Sequence, residues 1–211
     1  MPLERIIEHD QHNKVAVWHL TESLEQLHSL IHLSAEDRKT FEKFRIEKRK
    51  KEWLCSRILL QEILEHYPAI DYTSNGKPFL SNSDKHISIS HTFGYVAVTV
   101  SDDTTALDIE LCTDRIDKLA DKFVHEKEEL FFTEKDRRTF LTLIWSAKES
   151  LYKYFDEYGV IFKNDFRILP FELKTKSSFD THTWFKQIDK QLKLNYEVNN
   201  NYILVYHLST C

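Results

Sequence analysis

The chain reads as an α+β protein made of two α+β halves, residues 1–103 and 104–211, that meet near residue 103. Three observations lead there. Apolar segments of strand and helix period follow one another as strand, helices, strands, then helices, strands. Turn-forming residues mark the changes, at Ser74-Asn75-Gly76-Lys77-Pro78 and Asp102-Asp103-Thr104-Thr105. With 41% hydrophobic residues, 211 positions can form a core for one large domain or two small ones.

Val15 to Leu20 is the first strand and Thr21 to Leu33 a short helix. Ser34 is a good N-cap, with Asp37 three residues on, for a long helix to about His66, where Tyr67-Pro68 ends it. That helix carries the main basic stretch, Arg38 to Arg57, with acidic residues interleaved; a solvated face with i,i+4 pairs explains it most simply. Residues 87–111 alternate in three runs, Ile87–His91, Tyr95–Ser101 and Ala106–Leu111, and read as an antiparallel meander. Arg115–Phe132 is a helix broken near His125, and Arg137–Tyr158 a second, closed by Gly159. Strands are expected over Phe166–Leu173, His182–Ile188, Leu192–Val198 and Tyr202–Leu208.

Composition removes several classes. No apolar run reaches 18 residues, which argues against a membrane helix, and Met1-Pro2-Leu3-Glu4-Arg5 lacks a signal-peptide pattern. Cysteines at 55, 112 and 211 make no spaced cluster, so a reducing cytoplasm is expected. Three scattered glycines, at 76, 94 and 159, cannot make a glycine-rich phosphate loop. A net charge of −5 argues against nucleic acid as the main partner.

Three segments carry residues suited to chemistry. In Ala106-Leu107-Asp108-Ile109-Glu110-Leu111, strand alternation puts Asp108 and Glu110 on one face, roughly 7 Å apart, able to converge on a hard cation. The plain alternative is a wet acidic face. In the 145–153 segment the apolar stripe is Phe140, Ile144, Ala147, Leu151 and Tyr154. Glu149 points directly away from it, and a surface Glu149–Lys153 pair is the plain alternative. Lys77, Ser90 and His91 lie on a turn and a strand separated by one short connection, and all three side chains can donate to phosphate oxygens.

Taken together, Gly76-Lys77-Pro78, Ile89-Ser90-His91, Asp108-Ile109-Glu110 and Trp145-Ser146-Ala147-Lys148-Glu149-Ser150-Leu151-Tyr152-Lys153 resemble the 4′-phosphopantetheinyl transferases of the longer, surfactin-synthetase-activating type. The resemblance covers roughly residues 35–155. It implies a pseudo-symmetric monomer of two α+β halves with the active site between them. It also implies transfer of the phosphopantetheine arm of coenzyme A to a serine of an acyl or peptidyl carrier protein, with Mg²⁺, releasing adenosine 3′,5′-bisphosphate. By position, Asp108, Glu110 and Glu149 match metal ligands. Lys77, Ser90 and His91 match residues that hold the coenzyme A phosphates, and Lys153 the lysine near the pyrophosphate. Glu128 falls at a candidate general base, with Glu126 and Glu129 close by. Arg38, Lys39 and Arg45 are candidate contacts to the 3′-phosphate. Arg115, Ile116, Lys118, Leu119 and Phe123 are a candidate carrier-docking face. One departure is Ala106, where the family usually has glycine.

Two other readings use fewer of these residues. A divalent-metal nucleotidyltransferase or phosphohydrolase accounts for Asp108 and Glu110 but not for the 145–153 segment. A binding module would use the basic helix at 38–57 to dock an acidic protein or RNA.

Overall fold

A computed structural model describes residues 3–8, 10, 12–130 and 133–209. The N-terminal part contains, in order, strands β1 (Leu3–Glu8) and β2 (Lys14–His19), helices α1 (Leu24–Ser29), α2 (Ala35–Lys43) and α3 (Glu47–Leu64), then strands β3 (Ile70–Tyr72), β4 (Pro78–Leu80), β5 (His86–Thr92) and β6 (Tyr95–Ser101). The C-terminal part follows with β7 (Ala106–Glu110), a 3₁₀ turn (Asp114–Lys118), α4 (Ala120–Phe123), α5 (Glu126–Glu129), α6 (Arg137–Phe155), α7 (Phe162–Asp165), β8 (Phe166–Ile168), β9 (Lys176–Phe185), β10 (Ile188–Val198) and β11 (Ile203–His207). The mixture is α+β, as expected. No described helix is long and apolar enough to cross a membrane.

Two antiparallel sheets carry the fold. One runs β1-β2-β6-β5 and the other β7-β11-β10-β9-β8, while β3 and β4 form a small ribbon. The 87–111 meander is therefore corrected. β5 and β6 form a hairpin through Phe93 and Gly94, but β7 pairs with β11, from Ala106 opposite His207 to Glu110 opposite Ile203. The edges of the two sheets, β5 and β7, face each other and are joined by side chains. Ser88 Oγ accepts from Leu107 N–H at 3.1 Å, and Ser90 Oγ donates to Asp108 Oδ1 at 2.7 Å. Strand alternation explains the split: Leu107 and Ile109 face one way, into an apolar layer with Val15, Val17, Tyr95, Ala97, Tyr202, Leu204 and Tyr206, and leave Asp108 facing the other.

The long helix expected from Ser34 to His66 is two helices. Phe44 and Ile46 have extended backbones, and Phe44 packs on Trp53 with ring centroids 6.0 Å apart. The break lets α2 fold back, so that Asp37 accepts two bonds from Arg57 at 3.3 Å. In one straight helix, twenty residues would hold those side chains about 30 Å apart. The Arg115–Phe132 helix is likewise resolved into the 3₁₀ turn, α4 and α5, with residues 131 and 132 outside the described residues. Helix α6 ends at Phe155, with Asp156 rather than Gly159 in the left-handed region at its end.

Ser34 caps α2 as expected, its Oγ accepting from Asp37 N–H at 3.1 Å. The helix expected over Thr21–Leu33 is confined to α1. There Ser23 and Gln26 cap each other's backbone N–H groups, a pairing visible in the sequence as Ser-x-x-Gln. Tail strands are found near all four expected places, although β8 stops at Ile168 and β9 begins at Lys176.

Candidate active site

Helix α6 lies against β7 and β11 and is buried on nearly all sides. Ile144, Ala147 and Leu151 face an apolar core with Phe166, Ile168 and Tyr196, and Tyr154 packs against it, as the period predicts, while Phe140 packs on Phe171 with ring centroids 5.5 Å apart. The opposite face is turned to the carboxylates of β7. Three residues of that face, spread over two turns, each meet a partner there. Trp145 Nε1 donates to Glu110 Oε1 at 3.2 Å, Ser146 Oγ to Asp108 Oδ2 at 2.6 Å, and Lys153 Nζ to Asp108 Oδ1 at 2.8 Å. Lys153 also donates to Ser90 Oγ at 2.9 Å and to the Leu107 carbonyl at 3.0 Å, which ties α6 to both edge strands.

Neither plain alternative describes this arrangement. Asp108 is buried, only 4% exposed, so β7 has no wet acidic face at that position. Lys153 pairs with Asp108 rather than with Glu149. Burial, then the Asp108 and Glu110 charges, raise the Glu149 pKa to about 7. Glu110 is raised too, by burial and by Asp108, against the pull of the Trp145 bond. Among the described residues the three carboxylates share one cation, Lys153, and burial first, then their mutual repulsion, gives these upward shifts.

Whether the group suits Mg²⁺ follows from these facts. Its donors are hard oxygens, and a dication would relieve the repulsion that lifts Glu149 and Glu110. The donor chemistry fits. The positions are not those of a finished ligand cage. Among the described residues no three His, Cys, Asp or Glu side chains are gathered closely enough to hold an ion, and both oxygens of Asp108 accept hydrogen bonds.

The phosphate-binding candidates divide. His91 lies at the end of β5 between Arg49, 2.5 Å from its Nε2, and Glu52, 3.5 Å from its Nδ1. Burial lowers its pKa, opposed by Glu52 and assisted by Arg49. A groove of about 480 Å³ runs from Lys48, Arg49 and His91 to Glu110 and Arg115, and brings the basic helix to one of the three carboxylates, Glu110. Lys77 shares a smaller cavity, about 150 Å³, with Lys153, but its ammonium donates to the Tyr154 carbonyl at 2.9 Å.

Sequence reasoning missed Arg49, Lys48 and Glu52, and offered Arg38, Lys39 and Arg45 instead. Those three are exposed and line none of these cavities. The usable signal was helical phase: Arg49, Glu52, Trp53 and Ser56 fall at i, i+3, i+4 and i+7 and together line one cavity wall.

Glu128 is not brought into the cluster. It is fully buried; Oε2 takes a bond from Lys148 at 2.7 Å and from His125 N–H at 2.8 Å, while Oε1 takes one from Ile168 N–H at 2.8 Å. Those bonds make it an anchor for α5 and β8 and leave a carrier serine no access to it. Its neighbours Glu126 and Glu129 are exposed. Of the expected docking face, Ile116 and Phe123 are buried, while Arg115 and Lys118 are exposed.

Two comparisons place the chain among known sequences. Residues 105–207, which carry the β7 carboxylates and all of α6, match the family model of the 4′-phosphopantetheinyl transferase superfamily. The chain is also 32% identical over 81 residues to the 4′-phosphopantetheinyl transferase gsp of Aneurinibacillus migulanus, an alignment covering 37% of this chain and 34% of that protein. The chain thus spans about a third of the length of the curated relative it matches.

Proposed function

We propose that this protein transfers the 4′-phosphopantetheine arm of coenzyme A to a serine of an acyl or peptidyl carrier protein, in a Mg²⁺-dependent reaction that releases adenosine 3′,5′-bisphosphate. The observation that carries the reading is the convergence of Asp108, Glu110, Glu149, Lys153 and Ser90 at the β5–β7 seam, with His91 and Arg49 at the head of the adjoining groove. The superfamily match and the relative's name support it. We further read the chain as a cytoplasmic monomer of the longer, surfactin-synthetase-activating type, with two pseudo-symmetric halves meeting near residue 103.

In this reading the serine oxygen attacks the phosphorus that bears pantetheine. A P–O bond forms, the bond to the adenosine-bearing phosphate breaks, and the serine hydroxyl loses its proton. Asp108, Glu110 and Glu149 would hold Mg²⁺, whose charge offsets the pyrophosphate oxygens and makes the phosphorus more electrophilic. Lys153, already inside the cluster, neutralises the departing bisphosphate. Arg49, Lys48 and His91 receive the remaining phosphate charge in the groove. With Glu128 sealed, the serine proton passes to water in the cleft. Most of the catalysis is positioning and charge compensation, as in other phosphoryl transfers.

Intact mass of an apo carrier protein tests this directly. Incubation with the protein, coenzyme A and Mg²⁺ should add one phosphopantetheine to the carrier. No adduct on fatty-acid, polyketide or peptide-synthetase carriers would defeat the reading.

A further inference from the structure

A helix leaves its last four carbonyls without partners of its own, and many helices close with glycine in the left-handed region and local backbone bonds. Helix α6 does so only in part. The left-handed residue at its end is Asp156, at φ 54°, whose N–H donates to the Tyr152 carbonyl at 3.0 Å. Further carbonyls are met from the N-terminal part of the chain. Lys77 Nζ donates to the Tyr154 carbonyl at 2.9 Å, and Asn75 Nδ2 donates to the carbonyl of Asp156 itself. Two more bonds cross beside them. Thr73 Oγ1 donates to Asp156 Oδ2 at 3.0 Å, and the Tyr158 hydroxyl donates to the Ser74 carbonyl at 2.9 Å.

All four bonds end on one turn, residues 73–77, which is braced internally by Thr73 N–H on the Lys77 carbonyl, Gly76 N–H on the Thr73 carbonyl, and Lys77 N–H on Thr73 Oγ1. The turn is a braced unit that grips the helix end. Glycine at 156 would meet the backbone requirement with less strain. The aspartate side chain therefore has a purpose of its own, and its partner is Thr73. Lys153 lies three residues back along α6, and the cavity beneath the clasp is lined by Gly76, Pro78 and Ile89 on one side and Lys153 on the other.

We infer that Asp156 is a positioning residue: by clasping the 73–77 turn it fixes the last turn of α6, and so the Lys153 ammonium, relative to the opposite cavity wall. What is positioned rests on the transferase reading; the clasp does not. Lys77 belongs to the same device, as a cap on the helix end supplied from the other side of the cleft.

Four variants test this: Asp156→Asn, Asp156→Gly, Thr73→Val and the double variant Asp156→Gly/Thr73→Val. Each is measured by amide hydrogen exchange over 73–77 and 150–156, and by kcat and KM for coenzyme A and carrier. Asp156→Asn keeps an acceptor for Thr73 and should stay within about twofold of wild type. Asp156→Gly and Thr73→Val should each speed exchange in both segments and lower kcat/KM for coenzyme A about tenfold, with KM for carrier unmoved. The double variant should be no worse than Thr73→Val alone, because that change already removes the bond to Asp156, along with the Lys77 N–H brace on Thr73 Oγ1. Additive losses, or wild-type transfer alongside faster exchange, would overturn the inference. So would lost transfer with unchanged exchange. Wild-type protein that transfers nothing, yet shows the exchange pattern, would instead defeat the transferase reading and leave the clasp standing.

Discussion

Lys153 Nζ lies 2.8 Å from Asp108 Oδ1 and, among the described residues, is the one cation hydrogen-bonded to that carboxylate, in a cluster of three acids. The helix that supplies the lysine also supplies Glu149, so α6 brings both a charge and its partial neutraliser to β7. Asp108 is held by three donors, two serine hydroxyls and the ammonium, which fixes its orientation before any ligand arrives.

Replacing Lys153 by Gln should remove that neutraliser and lower stability, because buried Asp108 loses its ammonium and α6 its tie to both edge strands. Transfer of phosphopantetheine should fall by roughly 100-fold or more, as expected when a preplaced charge facing a developing anion is lost. The Glu149 pKa should rise beyond 7, because Lys153 is the group that lowers it. Carboxyl chemical shifts followed against pH read the second effect, and a transfer assay the first. An undiminished rate would make Lys153 a structural counterion only.

Glu149→Gln separates stability from catalysis. The folded pKa, about 7, lies above the ordinary value of 4.5, so ionising Glu149 disfavours the metal-free fold. That penalty is absent below about pH 4.5, grows as pH rises to 7 and is constant above. The variant lacks it. At pH 8 it should therefore be more stable than wild type by on the order of 2 kcal/mol, with little difference at pH 4.5. Adding Mg²⁺ should raise the melting temperature of wild type at pH 8 and raise that of the variant much less. Transfer should drop by two or more orders of magnitude, roughly 2.7 kcal/mol of transition-state stabilisation. Melting curves at two pH values, with and without Mg²⁺, decide the matter.

Burial keeps His91 below the ordinary histidine range, so the free protein holds it neutral at pH 7. A bound phosphate favours the imidazolium and moves the pKa up. Coenzyme A binding near pH 7 should therefore take up a proton. Calorimetry in buffers of different ionisation enthalpy measures this, and His91→Ala should abolish the uptake while weakening binding by roughly 1.5–3 kcal/mol. Binding with no proton uptake in wild type would remove His91 from the phosphate site.

Lys148 and Glu128 form a fully buried pair at 2.7 Å, and burial lowers the Lys148 pKa to about 8 despite Glu128. Glu128→Ala should cost about 3–5 kcal/mol by stranding the ammonium. Lys148→Met with Glu128→Gln should recover most of that, since no charge is left unpaired. Urea unfolding of the single and double variants makes the comparison. Full transfer activity in the double variant would show that neither residue acts in the chemistry.

Much of the site was legible because its spacing is local. The two-residue alternation of Asp108 and Glu110, and the four-residue spacing of Trp145, Glu149 and Lys153, follow from strand and helix geometry alone. What could not be read was which surface each face meets. Glu149 points away from the apolar stripe, as its phase requires, yet that side is turned to β7 and not to water. The exchange of β7 from its hairpin neighbours to β11 depends on pairing across nearly a hundred residues, which no local pattern encodes. Glu128 was offered as a base by its position in the resemblance alone, and position says nothing of the lysine from a distant helix that is bonded to it in the interior.

The Lys148–Glu128 pair also constrains how this sequence can drift. Either position changed alone leaves a charge sealed in the interior, so each substitution is tolerable only on the background of the other. Two sites twenty residues apart thereby behave as one heritable unit, and the shortest mutational path away from the pair runs through a variant that folds poorly.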